Sequence, residues 1–496
     1  ADAELTALIG VGELTRARGS LEEAERHLAA ATSGSASVPA GRQGRLDVIL
    51  AVLRLLRARR CGDPPAMAGE AQRLLAPAEA ADGTQPGQGE DLRALALVNL
   101  GIAELWARRR DDAERHLEQG IALARRIGQP YLELFGLANW AMAASFRSFA
   151  LSAERSRQAI ELARRHGWSE EPVAGFAYVV LGGTLVSQGR LAEAERCLGH
   201  AERTLWAEVR PTAGRELYHV RGLLELARGH HDHALAAFQA AGRLTGLLVA
   251  PHTYATLMRA HLLQALVQMG ETERAEAALA ECTEQERATG EMRVTLAVLR
   301  LTQHDPQAAA AALAPVLDGS APMADLGVWA DLGVWADLGV GVIQAFLLEA
   351  IARDAAGDPA AAGRALEHAL DLAEPDGMLL PFLLHPAPGL LQRHARHRTA
   401  HAALVSQILD LLAGPQVPAS GPGHLREPLS GSEIRVLRYL PTNLTAPEIA
   451  GQLCLSVNTV KMHMRHLYAK LSAHRRAETV ERARALGLLA PSPHAR

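Results

Sequence analysis

The most regular feature of the chain is a repeated spacing of small and large apolar residues. Counting from a turn residue, an alanine lies five positions later and a large apolar residue nine positions later. Positions four apart share one face of an α-helix, so the spacing predicts a helix whose small residue lets a neighbouring helix approach closely. The spacing occurs at Gly19/Ala24/Leu28, Arg108/Ala113/Leu117, Gly189/Ala194/Leu198, Gly229/Ala234/Phe238, Gly270/Ala275/Leu279, His304/Ala309/Leu313 and Gly357/Ala362/Leu366.

Each of these predicted helices follows another helix-length segment with apolar periodicity, such as Leu92 to Trp106. Successive turn residues from Gly189 to His304 are separated by 40, 41 and 34 residues. Repeats of this length, each made of a helix, a turn and a helix, are typical of α-solenoids. We therefore predict an all-α chain, in which residues 1–376 form a TPR-like α-solenoid of helix pairs and residues 377–412 form its terminal helical cap.

A second domain is predicted at the C-terminal end of the chain. Residues 413–424 are rich in Pro, Gly and Ser and show no apolar periodicity, which indicates a flexible linker. Beyond the linker, Ser430 with Glu433 and Thr445 with Glu448 have the spacing of capping boxes. Two helices are therefore expected to begin there.

A third helix is predicted at 457–471. Val460, Leu467 and Leu471 form its apolar stripe, and its opposite face is polar and cationic. A short helix, a tight turn and an exposed cationic helix are the parts of a helix-turn-helix that enters the major groove of DNA. Residues 425–496 therefore predict a helix-turn-helix domain that contains these three helices.

The polar face of the predicted helix carries groups that suit base recognition. Lys461 and Arg465 can donate hydrogen bonds to guanine O6 and N7, and Met462 can contact a thymine methyl group. Other polar residues in the domain suit phosphate oxygens, especially those near helix N-termini. The candidate backbone contacts are Thr445, Asn458, Thr459, His466 and Lys470.

The charge is distributed unevenly along the chain. The formal net charge is −4, yet from Leu425 onward there are 11 Lys and Arg against 5 Asp and Glu. The C-terminal part is thus +6 and the rest −10. The two lysines of the chain, Lys461 and Lys470, both lie in the predicted reading helix. A basic domain behind an acidic array favours a nucleic-acid partner for the terminal domain alone.

The C-terminal residues resemble a known family. LTAPEIAGQLCLSVNTVKMHMRHLYAKL, followed by RAETVERARALGLL, is similar to the LuxR-type helix-turn-helix domain of bacterial regulators. The resemblance implies that Lys461, Met462 and Arg465 face the bases. It also implies a four-helix domain whose last helix, 477–486, makes dimer contacts on DNA, with Val480, Ala483 and Leu486 as the candidate residues. Departures from the family pattern are Ser432, Pro447, Cys454 and Ser472.

The helical array is similar to that of the large ATP-binding, maltose-regulator-like subgroup of LuxR-type regulators. In that subgroup a nucleotide-binding module precedes the repeats, but this sequence has no G-x-x-x-x-G-K-[ST] motif and no Gly-Lys pair. We therefore expect no cofactor in this chain, and ATP only if a missing N-terminal module exists. The chain begins without methionine, which fits a longer natural protein.

The resemblance and the charge pattern together predict a sequence-specific, DNA-binding transcription regulator. It is expected to be an activator that binds double-stranded DNA as a homodimer, contacts RNA polymerase, and is regulated by a small-molecule or protein ligand of the repeats. The N-terminus lacks the pattern of a signal peptide, and no membrane association is expected. These features predict a cytoplasmic protein.

The sequence also allows one alternative function and contains weaker signals for metal sites. A helical-repeat scaffold or partner-binding protein with a degenerate DNA-binding domain is the alternative, and the array is as compatible with a spacer as with a ligand surface. The clusters His230/His231/Asp232/His233 and His394/His397/His401 suggest metal sites only weakly, since turns and polar helix faces explain them. No nucleophile motif such as G-x-S-x-G is present, so neither an enzyme nor a metal site is predicted.

Overall fold

The protein is α-helical and divides into two compact units, residues 1–414 and 415–496. In the computed structural model, all regular elements within the described residues are helices. None of these helices is both long and apolar enough to cross a lipid bilayer. The structure describes residues 40–76, 88–205, 210–249, 255–321, 340–396, 399–413 and 433–485, the last range without 434, 435, 438, 442, 443, 454–456, 472 and 474.

The first unit is an array of helix pairs, as the sequence predicts. Its described helices are α1 (Ala40–Cys61), α2 (Pro64–Leu75), α3 (Gln88–Trp106), α4 (Arg110–Arg126), α5 (Pro130–Ala144), α6 (Phe149–Arg165), α7 (Pro172–Ser187), α8 (Leu191–Thr204), α9 (Pro211–Ala227), α10 (His231–Thr245), α11 (Ala255–Gln268), α12 (Thr272–Ala280), α13 (Glu284–Ala288), α14 (Gly290–Thr302), α15 (Pro306–Leu317), α16 (Val340–Ala355), α17 (Pro359–Ala373), α18 (Leu380–Leu384), α19 (Pro388–Ala395) and α20 (Ala402–Leu412).

The turn inside each pair has one recurring geometry. The turn residues predicted from the sequence adopt positive φ wherever the structure describes them, including the non-glycine residues Arg108 (φ 62°) and His304 (φ 60°). The next amide donates to a carbonyl five residues back, as in Arg190 N to Leu185 O at 2.8 Å. This is the Schellman ending of a helix, and it places the chain to begin the second helix at once. The repeat at Gly19 lies outside the described residues.

The alanine and the large apolar residue of each repeat are buried. All six described alanines at this position have no exposed surface, and the paired large residues are at most 9% exposed. In five of the six described pairs, a glycine or alanine seven positions before the turn completes the contact. At Gly101, for example, a Cβ would lie 2.7 Å from Leu117 Cγ and 2.9 Å from the Ala113 carbonyl oxygen. The two helices of a pair therefore approach too closely for a larger side chain.

One helix of the array departs from the predicted spacing. In α6 the two buried repeat positions carry Ser152 and Ser156, which have no exposed surface. The Ser152 hydroxyl lies 3.1 Å from the Thr184 hydroxyl, which donates to the Val180 carbonyl of α7. A polar contact thus replaces apolar packing between α6 and α7. Because serines stand where the other repeats have alanine and a large apolar residue, the spacing does not reveal this repeat.

Contacts distant in sequence join turns of the array that the sequence leaves far apart. The Val249 amide donates to the Cys61 carbonyl at 2.8 Å, and Leu248 packs on the same turn. Further along, the Leu379 amide donates to the Ser187 carbonyl at 2.8 Å. Residues 379–384 therefore pack back onto earlier repeats instead of only extending the array.

Carboxylates in and just after α17 bind the histidine that precedes α20. The buried imidazole of His401 donates from Nε2 to Asp371 Oδ1 at 2.7 Å and from Nδ1 to Glu374 Oε2 at 2.9 Å. His394 belongs to the neighbouring helix α19, and its Nε2 lies 2.5 Å from Glu367 Oε2. Burial disfavours the charged form of His401, but the hydrogen bonds with Asp371 and Glu374 outweigh it and raise the pKa of the imidazole. These histidines thus hold the last helices in place, and His397 lies outside the described residues.

We expect the contribution of His401 to stability to fade as pH rises. Because its pKa is raised by folding, the stabilisation is complete below the pKa of the unfolded chain, about 6.5, and is lost through the higher pKa of the folded chain. His401→Gln should therefore lower the free energy of unfolding more in mildly acidic than in alkaline buffer, as measured by urea titration. His368→Gln is the control, since His368 is exposed and bonds only a backbone carbonyl. A loss independent of pH would contradict the assignment.

Candidate nucleic-acid interface

The second unit is built around the helix that the sequence predicts as the reading helix. Its described helices are α21 (Ala446–Leu453), α22 (Val457–Lys470) and α23 (Arg476–Ala485), and helical residues of an earlier segment include Val436 and Leu437. Val460, Leu467 and Leu471 are at most 2% exposed and pack with Leu437 and Ile449. The predicted apolar stripe of α22 is confirmed, and it fixes which side of this helix faces outward.

The outward side of α22 presents a continuous row of long side chains. Lys461, Met462, Arg465 and His466 are exposed, and their spacing puts them on one face. Met462 is 44% exposed, and within the described residues only Leu247 and Val249 are comparably exposed large apolar side chains. Two cations and a flexible apolar side chain thus lie side by side, and the described residues of the unit leave them exposed.

A buried carboxylate stands at the other end of this helix. The Glu433 side chain is 4% exposed, and its Oε2 lies 3.1 Å from Lys470 Nζ, which is 16% exposed. His466 Nδ1 lies 3.7 Å from Glu433 Oε1. Removing one partner of a buried ion pair is costly because the other charge stays buried. Lys470 therefore has a structural partner inside the unit, and its predicted contact with a DNA backbone stays a prediction.

The start of α21 is held by the predicted capping residues. The Thr445 amide and hydroxyl both donate to Glu448 Oε2, at 2.7 and 2.6 Å. These hydrogen bonds lower the pKa of Glu448 and keep it charged. The carboxylate makes the surroundings of Thr445 less favourable for a phosphate. Thr459, in contrast, lies partly exposed in the first turn of α22, while the side chain of Asn458 lies outside the described part of the structure.

Both units match known families. Residues 51–393 match the family described as the MalT-like TPR region, which is more than half of the chain. The chain belongs to this family. Residues 427–483 match the bacterial regulatory proteins of the luxR family, so the second unit is a luxR-family helix-turn-helix domain.

Individual relatives cover limited parts of the chain. The Fimbriae Z protein of Salmonella typhimurium is 36% identical over 84 residues, which is 17% of this chain and 39% of that protein. The HTH-type transcriptional regulator MalT of Serratia proteamaculans is 36% identical over 98 residues, 19% of this chain and 10% of that protein. The apo form of the quorum sensor NprR from B. thuringiensis has a TM-score of 0.48 at 14% identity, covering 75% of this chain and 97% of that one. The chain thus spans well under two thirds of the length of both curated relatives.

Arg476 is a central residue of the luxR-family domain that the sequence analysis missed. Its guanidinium donates to the backbone carbonyls of Leu440, Leu444 and Tyr439 at 2.9, 2.6 and 3.0 Å. It therefore joins the first residue of α23 to the segment before α21. The sequence does not predict this role, because the three carbonyl groups that Arg476 binds are 32 to 37 residues away and come together only in the folded domain.

The last helix buries two of the residues expected to mark a dimer surface. Val480 is 7% exposed and Ala483 has no exposed surface, since both pack into the core of the domain itself. The expectation that these two side chains face a partner is therefore corrected. A dimer contact through α23 would use its outer face, where Arg482 is exposed. Leu486 lies outside the described residues.

The first histidine cluster gains a carboxylate that the sequence did not reveal. Donor atoms of Glu225, His230 and His233 lie within 4.8 Å of one another, a spacing that permits a metal ion. However, Arg221 and Arg228 lie 3.5 and 3.8 Å from Glu225, so positive charge already surrounds the carboxylate. His230 Nδ1 bonds Glu225 at 2.8 Å across the turn. This placement supports the structural interpretation of the cluster.

We expect Arg476→Gln to loosen the luxR-family domain without touching its exposed row. The substitution removes charge-assisted hydrogen bonds to backbone carbonyls, each worth about 1.5–3 kcal/mol. Hydrogen exchange of the full chain should show faster exchange across residues 436–453 in the variant. Arg475→Gln is the matched control because Arg475 is the exposed neighbour. Unchanged protection in R476Q would show that the guanidinium contacts contribute little.

Proposed function

We propose that this protein is a transcription regulator that reads a specific duplex sequence with α22 in the major groove. The supporting observation is the exposed row formed by Lys461, Met462 and Arg465, on a helix whose opposite side is buried. The match to luxR-family regulatory proteins agrees with this role. In an isolated helix such a row would be only a solvated surface, but here packing against α21 and α23 orients it.

The chemistry of the row fits base edges. Arg465 offers a planar guanidinium that can donate two hydrogen bonds to guanine O6 and N7, and Lys461 offers a mobile ammonium for the same acceptors. Met462 supplies an apolar contact suited to a thymine methyl group. Of the predicted backbone contacts, Thr459 lies partly exposed in the first turn of α22 and His466 is exposed, whereas Thr445 and Lys470 bond carboxylates within the domain at 2.6 and 3.1 Å.

The remaining parts of the proposal concern assembly and control. We infer that the protein binds DNA as a homodimer through the outer face of α23 and activates transcription by contacting RNA polymerase. The helical array would set activity by binding a ligand, because its first helices enclose a cavity lined by both apolar and polar residues. ATP is assigned no residues in this chain, and it would enter only through a separate N-terminal module.

We expect Lys461→Ala to weaken binding to a specific operator by about 1–3 kcal/mol, since it removes a donor to a base edge. The measurement is a gel shift with the full chain on a selected duplex and on a scrambled one. Arg475→Ala is the control, because Arg475 is exposed but lies outside α22. Equal losses in both variants, or none in K461A, would contradict the assigned role.

Salt dependence separates this function from that of a repeat scaffold with a degenerate terminal domain. Neutralising phosphates releases counterions, so binding to DNA should weaken steeply as salt rises. A scaffold would show no saturable DNA binding at low salt. That outcome would assign the function to the array alone.

A further inference from the structure

The first helices of successive pairs enclose a cavity of about 300 Å³ in the helical array. Small-molecule sites commonly begin at about this size. Residues of α1, α3, α5, α7, α9, α11, α14 and α16 line it. One part of its wall is apolar and rich in aromatic rings, contributed by Leu56, Ile102, Trp106, Phe135, Phe146 and Phe176. Such a wall suits a compact apolar group.

Four arginines line the same cavity: Arg59, Arg60, Arg210 and Arg215. Arg59 and Arg60 end α1, and Arg210 immediately precedes α9. Arg215 lies 3.5 Å from Glu216, but within the part of the chain that the structure describes no carboxylate lies within 4.0 Å of the other three guanidinium groups. Arg59 instead lies over the Phe135 ring, 4.7 Å from its centroid, and donates to the Asn99 amide oxygen at 3.2 Å. Arg59 is thus oriented by neutral groups.

Arg59 and Arg210 lie near enough for the charge of one to act on the other, and the region of the cavity that they line is called the arginine corner. Burial and then the charge of Arg210 lower the pKa of Arg59 to about 10, so Arg59 remains protonated at neutral pH. The N-terminus of α9 adds its dipole, since Thr212 and Ala213 of its first turn also line the cavity. Two guanidinium groups and a helix N-terminus thus line one cavity, an arrangement that suits a single anion.

The acidic and histidine side chains elsewhere in the cavity do not neutralise the positive charge of the arginine corner. Glu216 lies 3.5 Å from Arg215 and 3.9 Å from His219 on its own helix. His261 lies 2.9 Å from His219, and burial followed by the charge of His219 lowers the pKa of His261 well below its usual value. Glu291 lines the cavity as well, but neither Glu216 nor Glu291 is among the charges that shift the pKa of Arg59. His261 adds a neutral hydrogen-bonding group that suits a polar substituent of a ligand.

We propose that the cavity binds a small organic monocarboxylate with an apolar or aromatic body. The carboxylate lies between Arg59 and Arg210, where planar guanidinium groups can each donate two hydrogen bonds, and the body packs on the aromatic wall. This assignment rests on the proposed control of the regulator through its array. It names the chemical class of the ligand that exerts this control.

The test uses the full chain and matched pairs of probes. Calorimetry and thermal shift are measured with 4-phenylbutyrate, indole-3-acetate and decanoate, each beside its primary amide, and with inorganic phosphate. At least one acid should bind and raise the melting temperature, and its amide should bind about tenfold more weakly because it lacks the charge. Phosphate should bind more weakly than the acid, since it has no apolar body.

Substitutions of the two arginines test whether the acid binds in this cavity. Arg59→Gln and Arg210→Gln should each weaken binding of the acid about tenfold. Arg73→Gln, on the exposed surface of α2, should leave it unchanged. Arg210 is partly exposed at a helix start, so its variant remains informative if R59Q unfolds. The proposal is overturned if none of the acids binds at millimolar concentration, if acid and amide bind equally, or if phosphate alone binds as tightly. It is also overturned if R210Q binds like the parent protein.

These outcomes are independent of the DNA-binding assignment. Ligand binding is measured without DNA, and operator binding of K461A is measured without ligand. Loss of carboxylate binding with intact operator recognition removes only the ligand class. Loss of operator recognition with intact carboxylate binding removes the regulatory role and leaves a carboxylate-binding array.

Discussion

Burial of one side of a helix determines what its other side can do, and both units depend on this constraint. In α22, Val460 and Leu467 are fully buried, and the helical period then places Lys461 and Arg465 outside. The hydrophobic effect that folds the small domain is therefore also what orients its candidate DNA contacts. A shift of the buried stripe by one residue would turn the cations toward the core, where their desolvation is prohibitive.

In the helical array the same constraint acts on both sides of the first helices. Each packs one side on its own partner and turns another toward the cavity. α7 illustrates this: twelve of its sixteen residues are buried, and it contains no charged side chain. The second helices, such as α8, keep a charged outer face. The division between apolar inner helices and polar outer helices makes the enclosed cavity possible.

The sequence predicts the parts of this structure that depend on local spacing. The repeat positions, the positive-φ turns at Gly189 and His304, and the buried stripe of α22 follow from helical periodicity and are confirmed. What depends on contacts distant in sequence was not predicted. The Arg476 contacts, the carboxylates around His401 and the placement of Arg59 and Arg210 on one cavity bring together residues that carry no mutual pattern along the chain.

Base recognition by α22 is tested most directly by selecting bound duplexes from a random pool with the parent protein and with Arg465→Gln. Arginine favours guanine and glutamine favours adenine. The account predicts that a guanine preferred at one position of each half-site is replaced by adenine or becomes unspecified, while the other positions stay the same. An identical preferred sequence for both proteins would contradict the claim that this side chain reads a base.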